Sequence, residues 1–328
     1  MSGLIAIVSH RPQKGAGVDI LANILSGSRV TGSIFCQSLL AAPWSVALGS
    51  EEHAGIFHFV LRGLCWVELP RENRAVRMVQ GDIILLPHGD AHVIGDVPGR
   101  NPVRLDDLLA GCELGPALAI RVGGEDPDTE ILSGGYSLES AESDPIFRHL
   151  PAAIHVSASV GESSGGMQSA LRLLATEVGE QRPGYQALVD RLVDMLLVYI
   201  LRSWLASQPA DLQGWLQALR HPQIGEAVCL LHRYPERRWT VEGLARAVGM
   251  SRSAFAREFK ELTGEAPLGY LTVWRMEQAA GLLRRSSLSL AQIAERIGYD
   301  SEYSFGKAFK RARQVSPGRY RAQSALES

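Results

Sequence analysis

Two sets of residues in this chain have the types and spacing to do chemistry. The first is cationic. Arg257 and Lys307 hold corresponding places in two copies of one local pattern, each displaced from a pair of phenylalanines four residues apart. A guanidinium and an ammonium repeated in this way suit a polyanion. The second set is histidine-rich: His58 in FHFVLRG and His92 in GDIILLPHGDAHVIGD, with His53, His88, Glu68 and Asp90 as further donors. A catalytic metal centre needs about three protein ligands and an open position. His58 and His92 alone fall short of that set, so the expectation is histidines lining an interior near a small ligand, with no bound metal, no cofactor and no catalytic residue.

The repeat dictates the elements that carry the cations. One copy runs from Leu244 to Tyr270 and the other from Ile293 to Tyr320. Gly249 and Gly298 are 49 positions apart, whereas Phe255 and Phe305, Phe259 and Phe309, Pro267 and Pro317, and Tyr270 and Tyr320 are 50 apart, which predicts one extra residue at the start of the second helix of the second copy. Leu244, Ala245 and Val248 recur at helical spacing, Gly249 ends the run and Ser251 can cap a second helix with Phe255 and Phe259 on one face. Ile293, Ala294, Ile297, Gly298, Phe305 and Phe309 repeat the scheme. Two apolar-faced helices across a tight turn make a helix-turn-helix, whose second helix can enter a DNA major groove.

Other signals frame these units. His221 and Pro222 open a helix with Ile224, Val228 and Leu231 on its apolar side, and Thr240 caps the next. Pro267 opens a long helix through Leu283, burying Trp274, Ala279, Leu282 and Leu283 and leaving Arg275, Arg284 and Arg285 in water. Ser289 with Gln292 predicts a capping box.

Upstream, from Thr31 to about Val97, short runs rich in Val, Ile, Phe and Trp are separated by Gly and Pro, the layout of an antiparallel barrel or sandwich. Pro98 to Gly135 reads as a Pro-, Gly- and Asp-rich loop with one helical turn at RLDDLLA. GGYSLES suggests a return strand, and DPIFRHLPAAIHV, from Asp144, a turn of helix before another strand. Helices are expected over Met167–Leu174 and Gly184–Ser207. The latter carries Leu188, Leu192, Met195, Leu196, Tyr199 and Ile200 at three- and four-residue spacing, with Val193, Leu197, Val198 and Leu201 widening the arc. So apolar a helix needs cover on more than one side, from the strands and from a partner subunit.

Of 328 residues, 46% are hydrophobic and the formal charge is -2. From residue 222 onward there are 17 Lys and Arg against 11 Asp and Glu, a net +6, leaving -8 for the remainder. That split points to a nucleic-acid-facing part joined to one that is not. No leader or membrane span is read, so a cytoplasmic protein is expected. Cys36, Cys65, Cys112 and Cys229 lack CxxC spacing and read as reduced thiols. The division expected is a lead at 1–30, a strand-rich part at 31–206, a linker at 207–221, a helical part at 222–321 and a tail at 322–328. The short 1–30 lead includes DILANILSGSRV as one short helix.

GDIILLPHGDAHVIGD, with Gly81, Pro87, Gly89 and His92, resembles the second motif of cupins, and FHFVLRG resembles the first in part, with Val60 where a second histidine would stand. HPQIGEAV, WTVEGLARAVGMSRSAFAREFKELTGEAPLGYLTVWRMEQAAGLLR and LSLAQIAERIGYDSEYSFGKAFKRARQVSPGRYR resemble the DNA-binding domain of AraC/XylS-type bacterial transcriptional regulators. Residues 31–206 resemble the cupin-like sensory domain of one subgroup. The resemblance implies a two-domain α+β protein: an N-terminal cupin-like β-barrel with accessory helices and a C-terminal all-α double helix-turn-helix domain.

It further implies a sequence-specific regulator of transcription that binds double-stranded DNA, modulated by a small-molecule or redox effector, with RNA polymerase contact and a homodimer through helix 184–206. By motif position Ser253, Ala256 and Arg257 would face bases in the first unit, and Glu302, Tyr303, Ser304, Gly306 and Lys307 in the second. Arg257 can pair with guanine O6 and N7 through its fork, while Ala256 and Gly306 have no side-chain donor. Arg252, Ser251 and Ser301 suit phosphate contacts or capping. His58 and His92 are the candidate effector-binding residues, and Cys36 is where a redox response would sit. The competing class is a metal-dependent cupin enzyme with a fused helical domain.

Overall fold

In a computed structural model the described residues are 30–50, 54–110, 119–124, 126–138, 150–158, 165–208, 217–218 and 221–324. The expected helix in the lead, His53, Cys112, the helical turn after Asp144, most of the 207–221 linker and the last four residues lie outside them. The first part of the chain forms strands β1 (Val30–Leu40), β2 (Ser45–Leu48), β3 (Ala54–Arg62), β4 (Leu64–Leu69), β5 (Arg74–Val79), β6 (Ile83–Leu86), β7 (His92–Gly95), β8 (Val103–Arg104), β9 (Ala119–Val122), β10 (Thr129–Leu138) and β11 (Ile154–Val156). Helices α1 (Leu105–Ala110), α2 (Gly165–Glu180) and α3 (Tyr185–Ser207) accompany them.

The strands form two sheets, ordered β11-β6-β3-β10-β1-β9 and β5-β4-β7-β2-β8. Among the described residues this is a pair of facing sheets and not the closed barrel expected. No ladder among them joins an edge strand of one sheet to an edge of the other. Strand β6 lies between two apolar layers, with Ile83, Ile84, Leu85 and Leu86 all buried. Ile84 and Leu86 pack on Val46, Val67, Met78 and Ile94 of the smaller sheet, while Ile83 and Leu85 pack on the helices. A sheet covered on both faces reads as continuous apolar sequence, without the alternation of a strand with one wet face. The loop expected over 98–135 also contains more strand than its composition suggests: β9 pairs parallel to β1, β8 pairs parallel to β2, and β10 already begins at Thr129.

Helix α3 lies on the larger sheet through Val189, Val193, Leu196, Leu197, Ile200 and Leu201. Burial of each such side chain contributes about 1.5–3 kcal/mol. The expected stripe is therefore rotated. Leu188 and Met195, which spacing includes in it, are 52% and 40% exposed. Polar bonds fix the helix as well: Tyr136 donates from its hydroxyl to the Val193 carbonyl at 2.9 Å, and the Gly32 amide donates to Asp194 at 3.1 Å.

The C-terminal part contains α4 (Pro222–Arg233), α5 (Val241–Ala247), α6 (Arg252–Thr263), α7 (Pro267–Arg285), α8 (Leu290–Arg296), α9 (Glu302–Arg313) and α10 (Pro317–Ser324). Its starts are capped as the residues predict. Thr240 Oγ1 accepts from the Gly243 amide, Ser251 Oγ from Ala254 and Ser301 Oγ from Ser304. Ser289 and Gln292 close a reciprocal capping box. Each cap satisfies an amide that would otherwise lack a partner, for about 1 kcal/mol. Helix α7 enters both cores, with Tyr270 and Leu271 in the first and Met276, Ala279, Ala280 and Leu283 in the second.

Candidate nucleic-acid interface and the cavity between the sheets

Phe255 and Phe259 in α6, and Phe305 and Phe309 in α9, are fully buried and anchor each helix to its own unit. Anchoring one face dictates what the other presents. Over residues 251–260 and 301–310 the order of buried, partly buried and exposed side chains is identical, position by position. Arg257 and Lys307 therefore stand exposed at equivalent points, as do Arg252 and Glu302, and Ser253 and Tyr303. Tyr303, 80% exposed, is among the most exposed large side chains of the described residues.

Local contacts separate these residues. Arg257 lies 3.5 Å from Glu258 and 3.9 Å from Glu261, so its charge is partly offset within its own helix. In α9 the position of Glu261 is taken by Arg311, and Lys310 and Arg313 add to the charge. Ser304 donates from its hydroxyl to the Ser301 carbonyl at 2.9 Å, so that hydrogen is already committed to the cap. Ser253 is exposed, with its oxygen 3.4 Å from Ser251 Oγ.

The extra residue of the second copy sits elsewhere than expected. The caps Ser251 and Ser301 are 50 apart but Thr240 and Ser289 only 49, so the insertion precedes the cap and lengthens the turn. Asp300 in that turn pairs with Arg238 of the segment before α5. Arg275 is likewise not simply in water. It donates from Nε to the Pro235 carbonyl at 2.7 Å and from its terminal nitrogen to the Arg237 carbonyl at 2.8 Å. Sequence spacing along α7 gave no signal for these bonds, because their acceptors are backbone atoms of a distant loop.

Between the two sheets lies a cavity of about 570 Å³. Most of its wall is apolar, including Leu40, Trp44, Val46, Ile94, Ile120 and Ile131. A polar row crosses the larger sheet: Cys36 pairs in register with Ser133, and Ser133 with His58. An irregularity in β1 between Ile34 and Cys36 places them on opposite faces, so that Ile34 packs towards the helices while Cys36, Ser38 and Leu40 line the cavity. A bulge does this by breaking the two-residue alternation, and β1 carries no sequence mark of it.

His58 lines the cavity; His92 is not among the lining residues but holds His58 from behind. Their Nε2 atoms are 2.8 Å apart, His58 Nδ1 is 2.8 Å from Ser133 Oγ, and His92 Nδ1 is 2.8 Å from the Asp90 carbonyl. Burial lowers the pKa of both, with the His92 charge adding to the effect at His58. The further donors do not converge on them: His88 bonds to the Leu150 carbonyl, Glu68 accepts from the Gly99 amide, and Asp90 pairs with Arg71. No group of three His, Cys, Asp or Glu side chains suited to a metal occurs among the described residues. Burial pushes the Cys36 thiol up, against smaller opposite effects of Ser38 and Ser133, which leaves it protonated at neutral pH.

No helix of the described residues is long and apolar enough to cross a membrane. Comparison with known proteins gives a cupin family model matching residues 19–206 and a helix-turn-helix domain model matching 244–323. An AraC-like transcription regulator of Streptomyces lividans is 31% identical over 94% of this chain and 100% of its own length. The HTH-type transcriptional regulator AlkR of Acinetobacter baylyi is 30% identical over 94% and 100%. The RCS-specific HTH-type transcriptional activator RclR of Escherichia coli is 29% identical over 93% of this chain and 97% of its own. With a paired helix-turn-helix at one end and a cupin domain at the other, both matched along the full length of such relatives, the chain belongs to the AraC-type DNA-binding regulators of transcription.

Proposed function

We propose that α6 and α9 enter neighbouring major-groove segments of one duplex, and that a small molecule held between the sheets modulates this binding or the activation that follows. The observation that carries the first half is the shared exposure pattern of the two helices, which leaves Arg257 and Lys307 at equivalent exposed points. Arg257 reads guanine through its fork. Lys307 and Arg252 hold phosphate, and Ser253, Glu302, Tyr303 and Ser304 complete the contacting face, with Ser304 acting through the cap. The sensory part spans 31–206, the linker 207–221 and the reader 222–321. The protein works in the cytoplasm beside its DNA, as a regulator and not as an enzyme.

A second copy of the chain covers α3, where Leu188 and Met195 are exposed one heptad apart, and RNA polymerase is contacted by the DNA-bound form. The second half rests on the cavity's size, since ligand sites commonly fall within about 300–1,000 Å³. A thiol switch at Cys36 is disfavoured by its protonated state. Selection of bound duplexes from a random library, with and without candidate metabolites and oxidants, tests both halves. Arg257→Ala should cost about 1–3 kcal/mol and relax the preference at one base pair. Unchanged affinity after replacing both Arg257 and Lys307 would overturn the assignment of the helices.

A further inference from the structure

We infer that the cavity is built for an uncharged, largely apolar molecule bearing a hydroxyl group, which donates its hydrogen to Ser133 Oγ. This rests on the cavity being the effector site and adds the chemical class of its occupant.

The inference comes from following hydrogens along the buried row. At its far end stands the Asp90 carbonyl, which can only accept, so His92 Nδ1 carries a hydrogen. A neutral imidazole has one N–H, which leaves His92 Nε2 bare and accepting. His58 Nε2, 2.8 Å away, must then donate to it. That leaves His58 Nδ1 bare in turn, and Ser133 Oγ, also at 2.8 Å, must donate to it. Both rings are 1% exposed, which favours the neutral form throughout. The single hydrogen of Ser133 is thus spent inside the wall. Towards the cavity Ser133 offers only lone pairs.

Acceptor against acceptor is unfavourable, so a ketone, ether or ester oxygen is unmatched at Ser133 and is left with the Ser38 hydroxyl alone, one bond where a hydroxyl makes two. A hydroxyl does better because it gives and takes: it donates to Ser133 and can accept from Ser38, whose oxygen shares its other contact only with the Cys36 sulfur at 3.6 Å. Cys36 is a weak donor and does not displace a hydroxyl from Ser133. Charge is excluded by the same wall. Arg104 is the cation among the lining residues; it pairs with Asp106 at 3.2 Å, and the two side chains are 73% and 79% exposed. Neither is placed to compensate an ion at the buried end, where an unpaired charge is costly.

The test uses the full chain and two matched sets of probes: decanol, decanone, methyl nonyl ether and decanoate; and thymol with its methyl ether. Calorimetric titration should show at least one alcohol or phenol binding about tenfold tighter than its ketone or ether partner, the size of one mismatched hydrogen bond. Ser133→Thr, which keeps the hydroxyl, should retain the gap, while Ser133→Ala should shrink it to about twofold or less. Equal binding of the ether or ketone, tightest binding by decanoate, no binding by any probe, or an unchanged gap in Ser133→Ala would each overturn the class. The effector site itself is judged separately with Ile120→Phe, which narrows the cavity. If that variant loses a DNA-binding response to some other metabolite while the hydroxyl preference is absent, the site stands and the class falls. If it loses nothing, both fall.

Discussion

Arg275 of α7 lies over the ring of Tyr299, its guanidinium carbon 5.6 Å from the ring centroid, so the helix shared by the two units grips the turn of the second. The same arginine holds the carbonyls of Pro235 and Arg237 before the first unit, and the turn carrying Tyr299 pairs through Asp300 with Arg238. This junction has little room. A methyl group on Gly298 would sit 2.5 Å from the Glu236 carbonyl and 2.6 Å from Arg275, at a φ of +80°.

The two turn glycines should therefore differ in sensitivity. Gly249 has a φ of +70° but open surroundings, with Gln223 at 4.0 Å. Gly249→Ala should cost about 1 kcal/mol for backbone conformation alone, and Gly298→Ala about 2–3 kcal/mol once the clash is added. Denaturant unfolding of the two variants checks the order, and equal losses would show that the junction yields freely.

Glu261 should weaken the first DNA-facing helix. It lies 3.9 Å from Arg257 and is exposed, so in the proposed docking it puts a negative charge near the DNA. Glu261→Gln is expected to tighten binding of a selected duplex by about two- to fivefold at low salt, with the gain fading as salt screens it. Titration of labelled duplex at two salt concentrations measures this; a loss of affinity would mean that Glu261 orients Arg257.

Acid should destabilise the protein before its carboxylates titrate. His58, His92 and His232 are buried and their pKa values fall below 6.5, to about 3 for His232, through loss of hydration. On unfolding they regain ordinary values, so below about pH 6.5 the unfolded chain binds more protons and stability rises with pH. Unfolding free energy should be full at pH 7.5 and reduced at pH 5.5. A flat or inverted profile over that interval would show that the rings are hydrated.

Cys36 should be a slow thiol. Burial raises its pKa, and the thiolate is the reactive form. Alkylation by iodoacetamide at pH 7, followed by peptide mass mapping, should label Cys36 well below the rate of a free cysteine, and a cavity occupant should slow it further. Fast labelling would restore the redox alternative.

Much of the reader was legible because its signals are local. Caps, breaker glycines and phenylalanine pairs each act within one turn of helix, and the structure repeats them. What the sequence hid depends on partners distant in the chain. The rotation of α3 was ambiguous because apolar residues surround most of it, and only the sheet beneath decides which are covered. The polar row was equally hidden: Ser133 is an ordinary serine in a glycine-rich run until strand register sets it between Cys36 and His58. His92 was found by spacing, but its position behind His58 follows from side-chain contacts that spacing does not describe.

In β10, neighbouring residues serve different compartments: Ile131 and Ser133 touch the cavity, while Leu132 and Tyr136 press on the helices, with Tyr136 bonded to the backbone of α3. The partition is a single sheet thick, so an occupant that bowed it would press on the helix behind. Helix α3 ends at Ser207, fifteen residues before α4 begins, which under the proposed modulation makes it the element through which an occupant would speak to the DNA-binding part.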